Sequence, residues 1–387
     1  MSVRKRIWTW KGEVRERWMV DYSDATGTRR SQSFARKKDA DARNLAIKTE
    51  LAAGTHVAAS RSITVASAAE SWIKGSEANG LERSTVKQYR EHASLHIIPA
   101  IGHLKLSDLN PQVVRRLEDD LREQGRSPAM VSKIIRSLGS LLADAHEQGL
   151  VLQNAVRDLR SRRQKRKHVD QRRKKLEVGV DIPSGKEVAL IMSNAPDRWR
   201  ALLITAVFTG LRASELRGLR WKDVDLKAGE LHVRQRADRF NKIGQPKSEA
   251  GTRTVPFGKV VANTLKEWRL ACPNSELDLV FPNGAGRIEN LANIINRGLI
   301  PACISGGVAT KTGKAKYTGL HSLRHFYASW CINRHEDGGL GLPPKVVQER
   351  LGHASITMTF DRYGHLFPRG DNTEFTDAAE LRLMGRA

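Results

Sequence analysis

Two arginine-containing pairs in the second half of the sequence could bind a phosphate. Arg212 follows a glycine turn at the start of a predicted helix, where backbone N–H groups and a guanidinium together favour an anion. Glu215, three residues later, lies on the same helical face and could orient that guanidinium. His321 and Arg324 are also three residues apart and share a helical face. Either pair alone is common on surface helices and establishes no site.

A histidine and a tyrosine follow in the segment LGHASITMTFDRY. His353 comes directly after a glycine turn, and Tyr363 lies ten residues further on. Taken alone, such a tyrosine is usually a packed aromatic with a satisfied hydroxyl. A metal site at the His321–Arg324 pair is not expected, because the arginine would repel a cation and no carboxylate accompanies it. The sequence therefore predicts no metal-binding residues.

The overall charge favours a polyanionic partner. The 387 residues include 66 Lys and Arg against 42 Asp and Glu, giving a net charge of +24 and a pI near 10.3. Nucleic acid is the first candidate and an acidic membrane surface the second. The sequence lacks both an apolar run of about 18 residues and an apolar signal core, so we expect a cytoplasmic protein. Its three widely spaced cysteines fit a reducing compartment and predict no disulfide framework or zinc module.

Residues 1–62 are predicted to form a small β-rich module. Trp8, Trp18, Val20 and Tyr22 alternate with polar residues, which indicates strands, and a helix should begin near Lys38. The module could read DNA with its strands, although a solvated basic surface or a protein contact is also open. The candidate DNA-binding residues of this module are Arg29, Arg30, Arg36, Lys37 and Lys38.

Residues 63–160 are predicted to form a compact domain of four helices. Each helix has a recognisable beginning or end in the sequence. The predicted limits are a Thr64 cap for the first helix, Ser84 to a stop before Pro99 for the second, Asn110 to Gly125 for the third, and Ser127 to Gly149 for the fourth.

Residues 161–178 are predicted to be an extended basic linker, because a block of like charges repels itself. The linker could simply be flexible, or it could lie along DNA phosphates and make binding salt-dependent. Residues 179–387 form the largest predicted unit, in which short strands around a polar turn interrupt the helices at 229–257. The linker residues proposed to contact DNA are Arg162, Arg163, Lys165, Arg166 and Lys167.

In this order and in so basic a chain, the segments resemble the catalytic signature of the tyrosine recombinase (phage integrase) family. The matching elements are Arg-x-x-Glu, His-x-x-Arg, Leu-Gly-His and the following tyrosine. The segment PKSEAGTRTVPF, with Lys247, resembles the β-hairpin lysine segment of that family. The resemblance covers the whole catalytic region, and the order of modules is similar to that of integrases of temperate phages and integrative elements.

The resemblance implies a multidomain, mainly α fold with small β parts. Residues 1–62 would be an arm-type DNA-binding domain, 63–160 a helical, SAM-like core-binding domain, 161–178 the linker, and 179–387 a mixed α/β, mostly α, catalytic domain. The C-terminal segment could present Phe375, Ala378, Ala379 and Leu383 as one apolar face. That face could pack on its own domain or, as often in the family, on a neighbouring protomer.

The implied reaction is attack of the Tyr363 hydroxyl on a DNA phosphodiester, giving a 3′-phosphotyrosine and a free 5′-hydroxyl. Bond energy is kept in the covalent intermediate, so neither ATP, a metal nor another cofactor is expected. His321 would accept or relay the proton, Arg212 and Arg324 would clamp the non-bridging oxygens, and His353 would donate to one of them. Lys247 would protonate the departing oxygen. Tyr317 and Tyr327 are disfavoured as nucleophiles, and His325 and His365 are expected to be structural or supporting.

The partners implied are double-stranded DNA with core and arm-type sites, three further copies of the chain in a tetramer, a directionality factor and a DNA-bending host protein. In the cell, the protein is expected in the bacterial cytoplasm with the nucleoid. Two alternatives remain: a topoisomerase of type IB character, and a sequence-specific DNA-binding regulator with an inactive catalytic domain. The complete catalytic set argues against the regulator, and the separate arm and core-binding modules argue against the topoisomerase.

Overall fold

The structure is a computed structural model of the chain. It describes residues 2–11, 13–23, 27–52, 62–151, 153–159, 175–368 and 373–385. The chain divides into two compact units, residues 1–171 and residues 172–387. Over the described ranges the fold is mainly helical with three small sheets, which confirms the predicted fold class.

The first unit begins with a three-stranded antiparallel sheet covered on one face by a helix. Strand alternation places Val20 and Tyr22 in a small core with Ala40 and Ile47 of the helix. Gly27, between β2 and β3, has a φ of +79°, a left-handed conformation that favours glycine. The elements are β1 Ser2–Trp10, β2 Glu13–Ser23, β3 Arg29–Phe34 and α1 Lys37–Ala52.

Helices with one apolar face build the rest of the first unit. Thr64, Asn110 and Ser127 accept hydrogen bonds from backbone N–H groups in the first turns of their helices, which confirms the predicted caps. The apolar faces form one core that includes Trp72 and Leu138. The helices are α2 Val65–Ala78, α3 Arg83–His92, α4 Ile98–Ile101, α5 Pro111–Glu123, α6 Pro128–Glu147 and a short α7 at 155–159.

The predicted limits of the second helix are wrong at both ends. Helix α3 begins at Arg83 with Glu82 as its N-cap, and no side-chain hydrogen bond caps it. The helical path does not stop before Pro99 but passes through a π turn, Ala93–Ile97, into α4. Pro99 occupies the first turn of α4, where a missing N–H is tolerated because the register of hydrogen bonds has just changed.

A single large core organises the second unit. Helix α9 is buried along most of its length and packs against α11 and α14. Its end is set by Gly210, where a φ of +60° and the ring of Tyr327 leave no space for a side chain. The helices are α8 Gly185–Ser193, α9 Asp197–Thr209, α10 Ala213–Gly218, α11 Lys259–Ala271, α12 Leu291–Asn293, α13 Ile300–Ser305, α14 His321–Ile332, α15 Pro344–Leu351, α16 Ile356–Tyr363 and α17 Thr373–Leu383.

Two small sheets occupy the region in which the sequence predicts strands. In one sheet the strand order is β4-β5-β8, and β6 pairs with β7 in the other. Leu231 of β5 lies opposite Val255 of β8, and both side chains are buried against the helical core. The strands are β4 Val224–Asp225, β5 Glu230–Val233, β6 Arg236–Ala237, β7 Ile243–Gly244 and β8 Arg253–Pro256.

Candidate active site

Glu215 holds two arginines at the start of α10. Its carboxylate accepts from the backbone N–H and the guanidinium of Arg212, at 2.8 and 2.7 Å. The same carboxylate accepts from both terminal nitrogens of Arg253, at 3.1 and 2.9 Å. Glu215 is only 3 % exposed, whereas the Arg212 side chain is 35 % exposed. The buried carboxylate therefore fixes a guanidinium that still reaches solvent.

Arg253 joins this pair to the corner between α15 and α16. Its Nε donates to the Arg350 carbonyl at 2.8 Å, and Arg212 donates to the carbonyl of Gly352 at 2.8 Å. Gly352 has a φ of +61°, and a Cβ there would lie 2.8 Å from the Ala250 carbonyl oxygen. The glycine is therefore required both by its conformation and by the close approach of the neighbouring loop.

Arg324 ties the same corner to the end of α9. This arginine is buried, and it donates to the Gly210 carbonyl at 2.6 Å and to the Leu351 carbonyl. Burial lowers the pKa of Arg324 to about 9, and the nearby Arg212 contributes in the same direction. The group still carries its charge at neutral pH. Because both residues contact backbone beside His353, the two arginines converge on one place.

His353 is held in a fixed orientation beside the tyrosine. Its backbone carbonyl accepts from Gln348 Nε2 at 2.9 Å, and its Nδ1 lies 2.9 Å from the hydroxyl oxygen of Thr359. The imidazole stacks on the ring of Tyr363, with centroids 6.3 Å apart and planes only 4° from parallel. The corner at Gly352 and helix α16 thus present a histidine and a tyrosine to the same space.

The hydroxyl of Tyr363 contacts His325, a histidine that the sequence predicts to be structural or supporting. Tyr363 is the last residue of α16 and is 2 % exposed. Its hydroxyl oxygen lies 2.7 Å from Nδ1 of His325. His321, one helical turn earlier on α14, contacts His325 edge-on, with ring centroids 4.6 Å apart. Tyr363, His325, His321 and His353 therefore form one cluster of rings.

Burial and positive charge together set the protonation of this cluster. Burial lowers the pKa of His325 to about 3 and of His353 to about 4, and the neighbouring arginines add to both shifts. Burial raises the pKa of Tyr363 to about 12, although Arg324 lowers it. At neutral pH the site therefore combines neutral imidazoles and a protonated phenol with guanidinium charges. Although burial raises the pKa of Glu215, Arg253 and Arg212 lower it to about 2, so its carboxylate stays ionised.

Lys247 lies near this arrangement but on its exposed side. It is an exposed residue between β7 and the short 3₁₀ turn Glu249–Gly251. Ala250 in that turn is the residue whose carbonyl abuts Gly352. The loop that carries the lysine therefore packs against the corner that carries His353.

Tyr317, Tyr327 and His365 make packing or hydrogen-bond contacts within the second unit. Tyr317 is buried, and its hydroxyl donates to Glu187 at 3.0 Å. Tyr327 is fully buried under Gly210. His365 Nε2 lies 2.8 Å from the Leu176 carbonyl oxygen and so holds the start of the second unit against the segment after α16.

The free face of the N-terminal sheet carries a second basic group. Val3 pairs with Val20, so odd-numbered residues of β1 and even-numbered residues of β2 share the face under α1. The opposite face is rich in arginine and bears a tryptophan. Its residues include Arg4, Arg6, Trp8, Arg15, Arg17 and Arg29.

The basic residues predicted from the sequence to bind DNA lie on different faces of this module. Arg29 lies on the free face, whereas Arg30 is half-buried on the side of α1. Arg36 precedes α1, and Lys37 and Lys38 begin it, with Lys37 Nζ lying 5.4 Å from the Trp18 ring centroid. The five basic linker residues, Arg162, Arg163, Lys165, Arg166 and Lys167, lie outside the described residues.

Of the apolar face predicted for the C-terminal segment, the side chains of Phe375, Ala378 and Ala379 also lie outside the described part of the chain. The fourth residue, Leu383, is 88 % exposed.

Sequence reasoning missed Arg253, the contact of His325 with Tyr363, and most of the free sheet face. The face could have been found from the spacing of two between Arg4 and Arg6 and between Arg15 and Arg17. Over the described ranges, no group of three or more His, Cys, Asp or Glu could hold a metal ion. The same part of the chain has no helix that is long and apolar enough to cross a membrane.

Comparison with known proteins gives two family matches. Residues 184–369 match the Phage integrase family, and residues 64–121 match the N-terminal SAM-like domain of phage integrases. The chain is 25 % identical over 298 residues to a XerC-like tyrosine recombinase of Caldanaerobacter subterraneus subsp. tengcongensis, covering 69 % of this chain and 70 % of that protein. It is 24 % identical over 320 residues to the prophage integrase IntR of Escherichia coli K12, covering 76 % and 74 %.

A solved structure has the same fold. The Tn1549 transposon integrase, in complex with a circular intermediate DNA, superposes with a TM-score of 0.63 at 17 % identity. The match covers 83 % of this chain and all of the integrase chain in that structure.

Proposed function

Because this chain belongs to the phage integrase family and is a tyrosine-type site-specific recombinase, we propose that it integrates and excises a mobile genetic element through a 3′-phosphotyrosine intermediate. The observation that carries the proposal is the position of the Tyr363 hydroxyl. It lies in a cluster of neutral histidines beside a corner on which Arg212 and Arg324 converge. The similarity to a prophage integrase supports a mobile element as the substrate.

The arginines provide the electrostatic part of the proposed reaction. Attack on a phosphodiester adds negative charge to the non-bridging oxygens, and guanidinium forks suit that charge. Arg212 would contact the phosphate first, because its side chain is partly exposed. Arg324 would contribute its positive charge from the buried side of the site. Removing one such preorganised donor typically lowers the rate by about 10²–10³-fold.

The phenol must lose its proton during attack rather than before it. With a pKa of about 12, ionising Tyr363 at pH 7 would cost about 7 kcal/mol at about 1.36 kcal/mol per unit. His321, which lies at the exposed edge of the ring cluster, would accept or relay the proton. His353 would donate to a phosphate oxygen, and Lys247 would protonate the departing 5′-oxygen, because its loop packs at the same corner.

The remaining parts of the chain would bind DNA. We propose residues 1–62 as the arm-type domain, reading DNA with the free face of the sheet, because that face concentrates arginine. Residues 63–160 would bind the core site, 161–178 would follow phosphates as a linker, and 179–387 would carry the chemistry. In this proposal four chains assemble on two duplexes, aided by a directionality factor and a DNA-bending protein, in the bacterial nucleoid.

A nicked suicide substrate tests the reaction. DNA spanning the candidate junction of the element is mixed with the full-length chain in EDTA, in parallel with Tyr363→Phe. Both proteins should bind, and only the wild type should form a protein–DNA band that resists denaturant. Tyr327→Phe serves as the matched control, because that hydroxyl belongs to a rival nucleophile on α14 and its loss should leave the adduct intact.

The outcomes distinguish the proposed function from its alternatives. An adduct that persists in Tyr363→Phe would remove Tyr363 as the nucleophile. Binding without an adduct, on the true junction and with its accessory factors, would favour a regulator. Relaxation of supercoiled DNA without any preference for the junction would favour a topoisomerase.

A further inference from the structure

One contact in the ring cluster has no part in the roles described above. The Tyr363 hydroxyl and His325 Nδ1 lie 2.7 Å apart, and both residues are buried. His325 is on α14, whereas Tyr363 ends α16, so the contact joins two elements across the site. Helix α14 itself is fixed by Arg324, the residue before His325, through its bonds to the Gly210 and Leu351 carbonyls. His325 is therefore held in place by α14 and can position the tyrosine hydroxyl.

The protonation of the two groups allows the phenol to be the donor in this hydrogen bond. The pKa of Tyr363 is raised to about 12 and that of His325 is lowered to about 3, mainly by burial in both cases. The phenol thus keeps its proton and the imidazole is neutral at pH 7. A phenol that faces a neutral ring nitrogen can donate to it when the other ring nitrogen carries the hydrogen.

Different contacts act on the ring of Tyr363 and on its hydroxyl. The His353 ring lies parallel to the phenol ring, with planes 4° apart and centroids 6.3 Å apart. That contact involves the ring and not the hydroxyl oxygen. The bond to His325 restrains the oxygen itself, which is the atom that would attack.

We propose that His325 is a positioning residue. Its Nδ1 accepts a hydrogen bond from the Tyr363 hydroxyl and thereby holds the attacking oxygen in place before cleavage. The proton stays on the phenol in this arrangement and leaves only during attack, by another route. The inference rests on the proposed function of Tyr363. It assigns to His325 a role separate from that of His321.

The test compares His325→Leu with His325→Asn in single-turnover cleavage of the suicide substrate. Leucine removes the acceptor, whereas asparagine places an amide oxygen near the position of Nδ1 but cannot take up a proton. We expect His325→Leu to lower the rate at saturating DNA by on the order of 10²-fold, as for a misplaced reacting atom, with DNA affinity unchanged. We expect His325→Asn to stay within about threefold of the wild type. Tyr327→Phe is the control for a buried change on the same helix.

Two outcomes would overturn the proposal. A wild-type rate in His325→Leu would show that the contact has no effect on attack. An equally slow His325→Asn that binds DNA normally would mean that His325 takes the proton rather than positioning the hydroxyl.

A second measurement applies even if the leucine variant does not fold. Ring ¹⁵N chemical shifts of the histidines in the wild-type chain, assigned by comparison with His325→Asn, report which ring nitrogen carries hydrogen. We expect hydrogen on Nε2 of His325, and a shift of the Nδ1 resonance in Tyr363→Phe. Hydrogen on Nδ1 would overturn the inference. Because this readout needs no cleavage, a failure of the proposed recombinase chemistry would remain distinguishable from a failure of the His325 assignment.

Discussion

Replacing Glu215 by glutamine should destabilise the second unit, and by an amount that depends on pH. The carboxylate is buried and bonded to both Arg212 and Arg253. Its pKa falls from 4.5 to about 2 in the folded chain, although burial opposes the shift. Glutamine has nearly the same shape as glutamate and can still form hydrogen bonds, but it lacks the negative charge of the ionised carboxylate. The variant therefore isolates the contribution of ionised Glu215.

The magnitude follows from linkage between protonation and folding. A shift of about 2.5 units corresponds to about 3 kcal/mol of stability at about 1.36 kcal/mol per unit. Because the folded pKa is depressed, this stability is fully present above pH 4.5 and is lost as the pH falls toward 2. At pH 3 only about 1 kcal/mol should remain. The difference in stability between wild type and Glu215→Gln should therefore shrink by about 2 kcal/mol between pH 7 and pH 3.

Hydrogen exchange as a function of urea measures this difference within the second unit alone. Peptides from α9 and α10 of the full-length chain would be followed by mass spectrometry at pH 7 and pH 3. Glu267→Gln, at an exposed position of α11, is the matched control and should change stability by less than about 0.5 kcal/mol. A difference for Glu215→Gln that is below about 1 kcal/mol at pH 7, or equal at both pH values, would refute the reasoning.

Three further changes test other contacts of the structure. Arg253→Lys keeps a charge but cannot bond both Glu215 and the Arg350 carbonyl, so we expect a loss of about 1–3 kcal/mol by the same exchange measurement and slower adduct formation. Gly352→Ala should abolish adduct formation, because the added Cβ meets the Ala250 carbonyl at a left-handed φ; a rate near that of the wild type would contradict this. In titrations of arm-type DNA at several salt concentrations, Arg17→Ala on the free sheet face should reduce the salt slope by about one, whereas Lys38→Ala should change it less. Equal effects would mean that α1, not the sheet face alone, meets the phosphates.

Local patterns in the sequence were enough to find most of the elements. Helix caps such as Thr64 and Asn110 act within one turn, so the residues that form them are close in the sequence. Period-two alternation likewise predicted the strands of the N-terminal module. The exception is the path through Pro99, where a π turn changed the hydrogen-bond register and let the helical path continue.

The sequence by itself determined the types, order and spacing of the candidate catalytic residues, and these led to the family. Arg-x-x-Glu and His-x-x-Arg are pairs one helical turn apart, and their geometry is fixed by the helix alone. The distribution of charge also favoured a nucleic-acid partner, because composition requires no fold.

Only the tertiary structure decided which residues meet across the chain. Arg253 reaches Glu215 from 38 residues away, and His325 reaches Tyr363 from the same separation. Contacts of this kind depend on how helices and strands pack, and no local period encodes them. Burial, which leaves the histidines neutral and the phenol protonated, is likewise a property of the packed core. The sequence therefore supplied the reacting groups, and the fold decided their protonation and which of them touch.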